Sequence, residues 1–427
     1  MITIAAEETA GIARLVNASN IPERIRLFIS PRASARFVTV LYFITRFHGI
    51  SSPKSFSPIW RDEAGKLTRL TEVNDRRERV GERVAELKVD ALLVSSLANV
   101  RYLSDYVGSN GLMLIGRAES HFFTDPRYGL EASQTITGSA HVVKGPLTAA
   151  ALAVAKRKKW KKIGFESQIL PYAGYAKLKE GLPLGFSLVP LSGVVEQLRM
   201  IKSAGEIEKL RRSADVNSQA FARTMRRVKQ GTRENEIAAE LEFQMRALGA
   251  EKPSFETIVA IGDRSALPHS TPSGRRLEEN ELLLIDMGAS LEGYASDMTR
   301  MAYSGSPPKR IRELYAAVLE AQLAALDAVR PGAITGKLDA IARSVLKKHK
   351  LDREFVHSTG HGLGLEIHEP PRVGKKDKTR LQPGMAITIE PGAYISGLGG
   401  VRIEDMVVVT ETGCEILTPT PKELLTL

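Results

Sequence analysis

The sequence predicts two folded domains: an α/β domain, then an α+β domain built from a duplicated helix-helix-sheet unit. Three observations support this fold class. A chain of 427 residues is too long for one ordinary hydrophobic core. Short apolar runs alternate with helical patterns between residues 75 and 180, which is typical of an α/β domain. Two similar stretches of helix, helix and strand follow, which indicates an internal repeat.

Residues 1–72 differ in character from the rest of the chain. Their one sustained apolar run, 37–44, is too short to cross a bilayer and lies too far in to be a signal peptide. The Ser- and Pro-rich residues 51–58 are typical of a flexible linker. We therefore expect residues 1–72 to form a poorly ordered extension.

Residues 73–197 form the predicted α/β domain. They contain no cluster of catalytic residue types, so we expect this domain to cover or shape a site elsewhere. The predicted helices are 76–87, 147–158 and 172–179, the predicted strands are 91–94, 111–115, 121–124 and 162–165, and a further element begins at 99–103.

Residues 198–427 form the predicted second domain and carry the repeat. Ser203 and Glu206 have the spacing of a capping box, which predicts the start of a long helix that reaches about residue 229. The similar segments 228–231 and 329–332 each end a long helix, and another helix follows each, at 234–248 and 337–348. The strands after them bear acidic residues, so the repeat would place carboxylates from both halves around one pseudo-twofold axis.

Residues 281–303 are predicted to form a β-hairpin, because two alternating apolar runs flank a short polar turn. A two-residue loop at Leu291 and Glu292 would bring Asp286 directly opposite Asp297. Two carboxylates in that position are destabilising unless one is protonated or a cation lies between them. The alternative is a register shifted by one residue, which would place the two acids on opposite faces.

Other polar residues extend this acidic pair. Glu390 ends an apolar strand, Glu404 lies in the next strand, and His361 is flanked by glycines in a segment that contains three of the eight histidines. Four carboxylates and one imidazole suit a pair of divalent ions such as Mn²⁺, Co²⁺ or Zn²⁺. Such a pair activates water as a nucleophile, so the set predicts hydrolysis of an amide.

Composition narrows the choice of partners. The lone Cys414 excludes a disulfide framework and fits a reducing, cytoplasmic location. The net charge of +11 is compatible with nucleic-acid binding, but the sequence has neither a nucleic-acid motif nor a basic stripe interleaved with aromatic residues. We therefore expect neither a nucleic acid nor a membrane as partner.

Residues 75–427 resemble the pita-bread metallopeptidase family, which includes methionine aminopeptidase, aminopeptidase P, prolidase and creatinase. The resemblance rests on four motifs in order: IDMGASLEGYASDMTR, HSTGHGLGLEIHE, AITIEPGAYI and VRIEDMVVVT. It implies that Asp286 and Asp297 hold one metal, that Asp297 and Glu404 bridge both, and that His361 and Glu390 complete the other. It further implies that His269 and His368 contact substrate and stabilise the tetrahedral intermediate, with Arg402 and His357 in the substrate pocket.

The α/β domain resembles the creatinase-type N-terminal domain of aminopeptidase P and prolidase. The resemblance therefore implies a manganese-dependent, homodimeric Xaa-Pro aminopeptidase that acts on proline-containing peptides, with Glu390 accepting the proton of the nucleophile. Two alternatives stay open: a Xaa-Pro dipeptidase, and a catalytically silent binding module on the same fold. Arg402 could instead be a salt-bridge partner of Glu404 or Asp405, and Tyr394 could line the pocket or pack in the core.

Overall fold

The computed structural model describes the backbone of residues 2–5, 37–40 and 62–427, and side chains from residue 72 onwards. The chain divides into two compact units, Met1–Glu63 and Ala64–Leu427. In the first unit, Ile2–Ala5 and Phe37–Val40 pair as antiparallel strands. The predicted linker 51–58 and most of the predicted extension 1–72 lie outside the described residues.

The second unit begins with an α/β layer, as the sequence predicted. Among the described residues its mixed sheet has six strands, of which Ser139–Val142 and Ser187–Leu191 were not predicted. Its strand Ala91–Val94 is buried along its whole length, because Leu92 and Val94 pack in a core with Val80 on one face. Ala91 and Leu93 pack on the other face. Coverage of both faces explains the uninterrupted apolar run. In spatial order the strands are Ser139–Val142, Ser120–Thr124, Leu112–Gly116, Ala91–Val94, Lys162–Glu166 and Ser187–Leu191.

Six helices from the described part of the chain accompany this sheet. The first, Asp62–Glu86, begins earlier than the predicted residue 76 and therefore crosses the predicted boundary at residue 72. The helix Leu147–Lys158 has the predicted bounds. The remaining helices are Leu97–Ser104, Gly129–Thr135, Tyr172–Glu180 and Val194–Arg199.

The duplicated part follows, with a helix pair ahead of each set of acid-bearing strands. The first pair is Ala204–Met225 and Glu234–Ala247. The second pair is Lys309–Asp327 and Thr335–Lys348. The predicted capping box is formed, since the Ser203 hydroxyl accepts from the Glu206 amide at 3.1 Å while the Glu206 carboxylate accepts from the Ser203 amide at 3.0 Å.

Two principal sheets lie against these helices. Phe221 and Leu241 of the first pair share a core with Leu283, and Leu314 of the second pair shares a core with Ile387. One sheet contains Ile258–Ile261, Leu282–Met287, Met298–Tyr303 and Leu425–Thr426, and the other contains Glu369–Val373, Gly360–Gly362, Ala386–Ile389, Asp405–Val409 and Cys414–Ile416. Smaller pairings join Lys252–Pro253, Ala289–Leu291 and Tyr294–Ala295, and also Gly392–Ile395 with Gly399–Arg402.

The turn of the hairpin differs from the prediction. Leu291 pairs with Tyr294, so the two loop residues are Glu292 and Gly293, where the sequence reading placed Leu291 and Glu292. Both loop residues have positive φ, 50° and 82°. A two-residue turn of this hand needs positive φ at both positions and favours glycine at the second, which explains why the turn lies one residue later.

The later turn changes which residues face each other. Asp286 pairs with Thr299, so the predicted direct opposition of Asp286 and Asp297 is wrong by two residues. Side chains alternate between faces with a period of two, and a shift of two therefore leaves both carboxylates on the same face. The alternative one-residue shift, which would have separated them, is excluded.

Within the part of the chain that the structure describes, no helix is both long enough and apolar enough to cross a membrane.

Candidate metal centre and active site

The five predicted metal ligands come from neighbouring strand ends in both halves of the duplicated part. Asp286 lies in Leu282–Met287, and Asp297 directly precedes Met298–Tyr303. His361 is the middle residue of Gly360–Gly362, Glu390 follows Ala386–Ile389, and Glu404 directly precedes Asp405–Val409.

The structure brings these side chains into one pocket. Ligand atoms of Asp297, His361 and Glu404 all lie within 4.8 Å of one another. The His361 Nε2 atom lies 3.5 Å from the Asp297 carboxylate and 3.6 Å from the Glu390 carboxylate. Asp286 lines the same cavity. The geometry is that of a group able to hold metal ions, formed by elements distant in sequence.

The orientation of His361 suits a metal ligand. Its Nδ1–H donates to the Gly362 carbonyl at 3.0 Å, so the lone pair of Nε2 is directed towards the carboxylates. Gly360 allows this strand to approach its neighbour, because a Cβ atom at this position would lie 1.9 Å from the Thr388 carbonyl oxygen. A larger residue there would displace the strand that carries the imidazole.

The buried carboxylates of this cluster repel one another, so bound cations would stabilise their ionised form. Burial raises the pKa of Asp297 well above its usual range, and the neighbouring carboxylates of Asp286 and Glu390 raise it further. Burial, with Asp297 and Glu390 nearby, does the same to the pKa of Glu404. The Oδ1 atom of Asp286 is buried without a hydrogen-bond partner. The cluster therefore offers oxygen donors and one imidazole but lacks enough positive charge to balance its carboxylates. Such a set of donors fits divalent metal ions.

Arg402 has a different partner from the two that the sequence suggested. It forms a salt bridge with Asp286, and its Nη1–H donates to the Tyr394 hydroxyl at 2.7 Å. Asp405 is instead paired with Arg300 at 2.7 Å and with Lys422 at 2.7 Å. Neither alternative partner, Glu404 or Asp405, forms a salt bridge with Arg402: Asp405 is held by Arg300 and Lys422, and Glu404 is connected to Arg402 only through the Thr299 hydroxyl.

The predicted substrate-contacting histidines line the same cavity, which has a volume of about 680 Å³. The rings of His361 and His368 lie 4.4 Å apart, and His269 also lines the cavity wall. The His357 Nε2 atom lies 2.9 Å from the Tyr394 hydroxyl. Burial, with the nearby Arg402 guanidinium, lowers the pKa of His357 to about 4, so this ring is neutral at pH 7.

Two hydroxyl groups complete the hydrogen-bond network of the site. The Tyr394 hydroxyl connects Arg402 to His357, and Tyr394 itself is buried behind these two residues and does not line the cavity. Thr299 accepts from the Arg402 Nε–H at 3.0 Å and donates to the Glu404 carboxylate at 2.8 Å. The sequence reading missed Thr299, although its position two residues after Asp297 places both on the same strand face.

A second group of buried charges lies beside the cavity and was also missed. Arg199 donates to the Glu369 carboxylate and, at 2.7 Å, to the Asn99 side chain. Lys202 lies 3.1 Å from the other Glu369 oxygen. Burial acts to raise the pKa of Glu369, but Lys202 and Arg199 outweigh it, so the net shift is downward. This cluster is neutralised by the chain itself.

The fold and the site define a class of protein: metal-dependent peptidases with the pita-bread fold. Residues 208–411 match the model of metallopeptidase family M24, and residues 76–201 match that of the creatinase/prolidase N-terminal domain. The chain is 36% identical to a Xaa-Pro dipeptidase of Pyrococcus horikoshii over 355 residues, which are 83% of this chain and 99% of that protein. This protein belongs to metallopeptidase family M24.

Solved structures agree with this assignment. A Xaa-Pro dipeptidase from Bacillus anthracis superimposes with a TM-score of 0.81 and 39% identity, covering 83% of this chain and 100% of that one. An X-Pro aminopeptidase from Thermotoga maritima superimposes with a TM-score of 0.76 and 35% identity, covering 81% and 100%. The predicted fold is confirmed, and the chain is a metallo-exopeptidase of a family that uses two metal ions.

Proposed function

We propose that the protein is a Xaa-Pro dipeptidase that hydrolyses the bond between an N-terminal residue and a C-terminal proline. The observation that carries this proposal is the cavity in which the predicted metal ligands and Arg372 occur together. Such a cavity offers a hydrolytic centre for the scissile bond and a guanidinium group for the free carboxylate of a dipeptide. Relatives named as Xaa-Pro dipeptidases support it further.

The predicted ligands Asp286, Asp297, His361, Glu390 and Glu404 would hold two divalent ions, which we expect to be Mn²⁺. Bound there, such ions lower the pKa of a water molecule and polarise a carbonyl group.

The remaining steps belong to side chains of this chain. Glu390 accepts the proton of the attacking water and passes it to the departing proline nitrogen. His368 and His269 donate hydrogen bonds to the oxygen that develops negative charge. His357 acts as a neutral group that holds the Tyr394 hydroxyl in place.

A proline substrate needs a site that does not rely on the backbone N–H after the scissile carbonyl, because proline has none and its φ is fixed. Phe255 and Ile367 line the cavity and provide apolar surface for such a ring. Recognition would then depend on shape and on the terminal charges.

The Xaa-Pro aminopeptidase that the sequence favoured is the second candidate. It is supported by the likeness to the Thermotoga maritima enzyme and by an additional cavity next to the active site. A silent binding module is disfavoured, since all five predicted ligands are present and clustered. The homodimer and the cytoplasmic location stay predictions.

One experiment separates these functions. We expect Ala-Pro to be hydrolysed in the presence of Mn²⁺ with a kcat/KM at least about tenfold that of Ala-Pro-Ala, because one well-made charge-assisted contact to the free carboxylate has about this value. Chelation should abolish both activities. Preference for the tripeptide would establish the aminopeptidase instead, and absence of turnover with Mn²⁺, Co²⁺ and Zn²⁺ would exclude both enzymes.

A further inference from the structure

A second cavity of about 800 Å³ adjoins the active-site cavity, and His357, Ser358 and Arg372 line both. These three residues form the boundary between the two cavities. We call the second cavity the basic groove. Its wall comes from the segment that follows the helix Thr335–Lys348 and from the loop after the strand Glu369–Val373.

The basic groove carries an excess of positive charge. Arg353, Lys375 and Lys376 line it and are exposed, as is Arg372. Within residues 72–427, none of these four side chains forms a salt bridge. An unbalanced group of cations in a concave surface attracts and concentrates anions.

Two acids in this region offset part of that charge without balancing it. Asp377 accepts from the Thr335 hydroxyl at 2.6 Å and from the Thr379 amide at 2.8 Å, so it holds the loop in shape. Asp352 is the other acid that lines the groove. Arg343 adds no free charge, because it is paired with Asp339 at 2.7 Å. Four cations without a salt bridge thus lie among two acids, one of them close enough to Arg372 for the guanidinium to lower its pKa, and the groove keeps an excess of two positive charges.

If the proline carbonyl group lies at Arg372, the residues that follow proline lead towards the basic groove, because Arg372 lines both cavities. An exopeptidase that removes the first residue holds the N-terminal part of a peptide at its hydrolytic centre, so later residues lead away from it. Arg372 is shared by the two cavities and would attract a carboxylate and repel an ammonium group. Val356, 68% exposed, adds an apolar contact surface along this path.

We propose that the basic groove binds an acidic residue that follows proline, so that the enzyme also hydrolyses Xaa-Pro-Asp and Xaa-Pro-Glu tripeptides. The reaction is the same hydrolysis: water adds across the Xaa–Pro C–N bond, the acyl carbon becomes a carboxylate, and the proline nitrogen takes up a proton. This inference rests on the proposed function and names a further class of substrate for the same site.

The test compares Ala-Pro-Asp with Ala-Pro-Lys, using Ala-Pro as the reference. We expect kcat/KM for Ala-Pro-Asp to exceed that for Ala-Pro-Lys by about fivefold, as two or three exposed ion pairs would give. The preference should appear mainly in KM and should shrink in about 0.5 M NaCl, because salt screens exposed charges.

A charge-reversal variant tests whether the basic groove causes the preference for Ala-Pro-Asp over Ala-Pro-Lys. The double substitution Lys375→Glu and Lys376→Glu should remove the preference for Ala-Pro-Asp and leave Ala-Pro turnover within about twofold, since exposed pairs contribute little individually. The matched control reverses Lys347 and Lys348, which are exposed on the last turn of the helix Thr335–Lys348 and lie outside the groove. The control should keep the preference.

The outcomes distinguish this inference from the proposed function. Hydrolysis of Ala-Pro without a preference for Ala-Pro-Asp, or a preference that both double variants lose equally, overturns the basic groove and leaves the dipeptidase standing. If no peptide is hydrolysed, the proposed dipeptidase function is rejected. Binding of fluorescently labelled Ala-Pro-Asp-Asp then tests whether the basic groove binds acidic residues. Equal affinity of the wild type and the Lys375→Glu, Lys376→Glu variant would then reject it, and weaker binding by the variant would support it.

Discussion

Glu369 and Glu404 are both buried acids in the second half of the chain, but their surroundings are opposite. Glu369 faces Arg199 and Lys202, and its pKa is lowered. Glu404 faces other carboxylates, and its pKa is raised. The chain therefore has the means to neutralise a buried acid and does not use them at Glu404. The difference indicates that the carboxylate cluster around Glu404 is neutralised by cations that bind from solution.

The largest expected effect comes from a substitution in the carboxylate cluster that contains Glu404. Glu390→Gln keeps the size and shape of the side chain but removes the carboxylate that we propose accepts the proton. We expect kcat for Ala-Pro to fall by at least about 100-fold, the usual contribution of a general base. The exposed Glu411→Gln is the control and should keep wild-type turnover. Near-normal turnover of Glu390→Gln would remove Glu390 from its proposed role.

The next largest effect comes from a substitution in the buried ion-pair cluster of Arg199, Lys202 and Glu369. Arg199→Met leaves Glu369 buried with Lys202 as its remaining cation, so we expect the free energy of unfolding in urea to fall by about 3–5 kcal/mol. Arg211→Met is the matched control, since it breaks the exposed pairing with Glu415 and should cost under about 1 kcal/mol. If the two substitutions cost the same, Glu369 is not held by a buried ion pair of the kind described.

The smallest expected effect is on the pH dependence of the free energy of unfolding, which should differ between the carboxylate cluster and the ion-pair cluster. In chelated protein the raised pKa of Glu404 means that its stabilising contribution is complete below the ordinary carboxyl pKa and is lost as pH rises through the raised value. Glu404→Gln should therefore gain stability relative to the wild type as pH increases from 5.5 towards 8, by at most about 1.4 kcal/mol for each pH unit below the raised pKa.

Glu369→Gln provides the opposite case for that measurement. The pKa of Glu369 is lowered, so its contribution is present above the ordinary carboxyl pKa and is lost only as pH falls through the lowered value. The stability difference between Glu369→Gln and the wild type should stay flat between pH 5.5 and 8. Parallel pH dependence of the Glu369→Gln and Glu404→Gln differences would contradict the distinction between the clusters.

Elements with local signals were predicted well from the sequence. The strand Ala91–Val94 and the helix Leu147–Lys158 have the predicted bounds, since each depends on an apolar pattern within a few residues. The capping box at Ser203 is equally local. The grouping of the five predicted ligands followed from motif order, and the structure brings them together.

Features that depend on geometry across the chain were harder to predict. The predicted hairpin register was wrong by two residues, because a turn with positive φ at both loop positions favours glycine at the second one and therefore lies at Glu292 and Gly293. The pairing of Arg402 with Asp286 joins residues from different halves, whereas the salt-bridge alternative considered from the sequence named only acids close to Arg402 along the chain. The Arg199–Glu369 contact likewise joins distant residues and leaves no periodic signal.

The proposed ligands are shared between the two halves of the repeat, and this has a consequence for synthesis on the ribosome. Asp286 emerges well before Glu404, and each half contributes only part of the proposed ligand set. A nascent or truncated chain that ends before Glu404 would thus be inert towards cellular peptides, and hydrolytic capacity would appear only once nearly the whole polypeptide has been made.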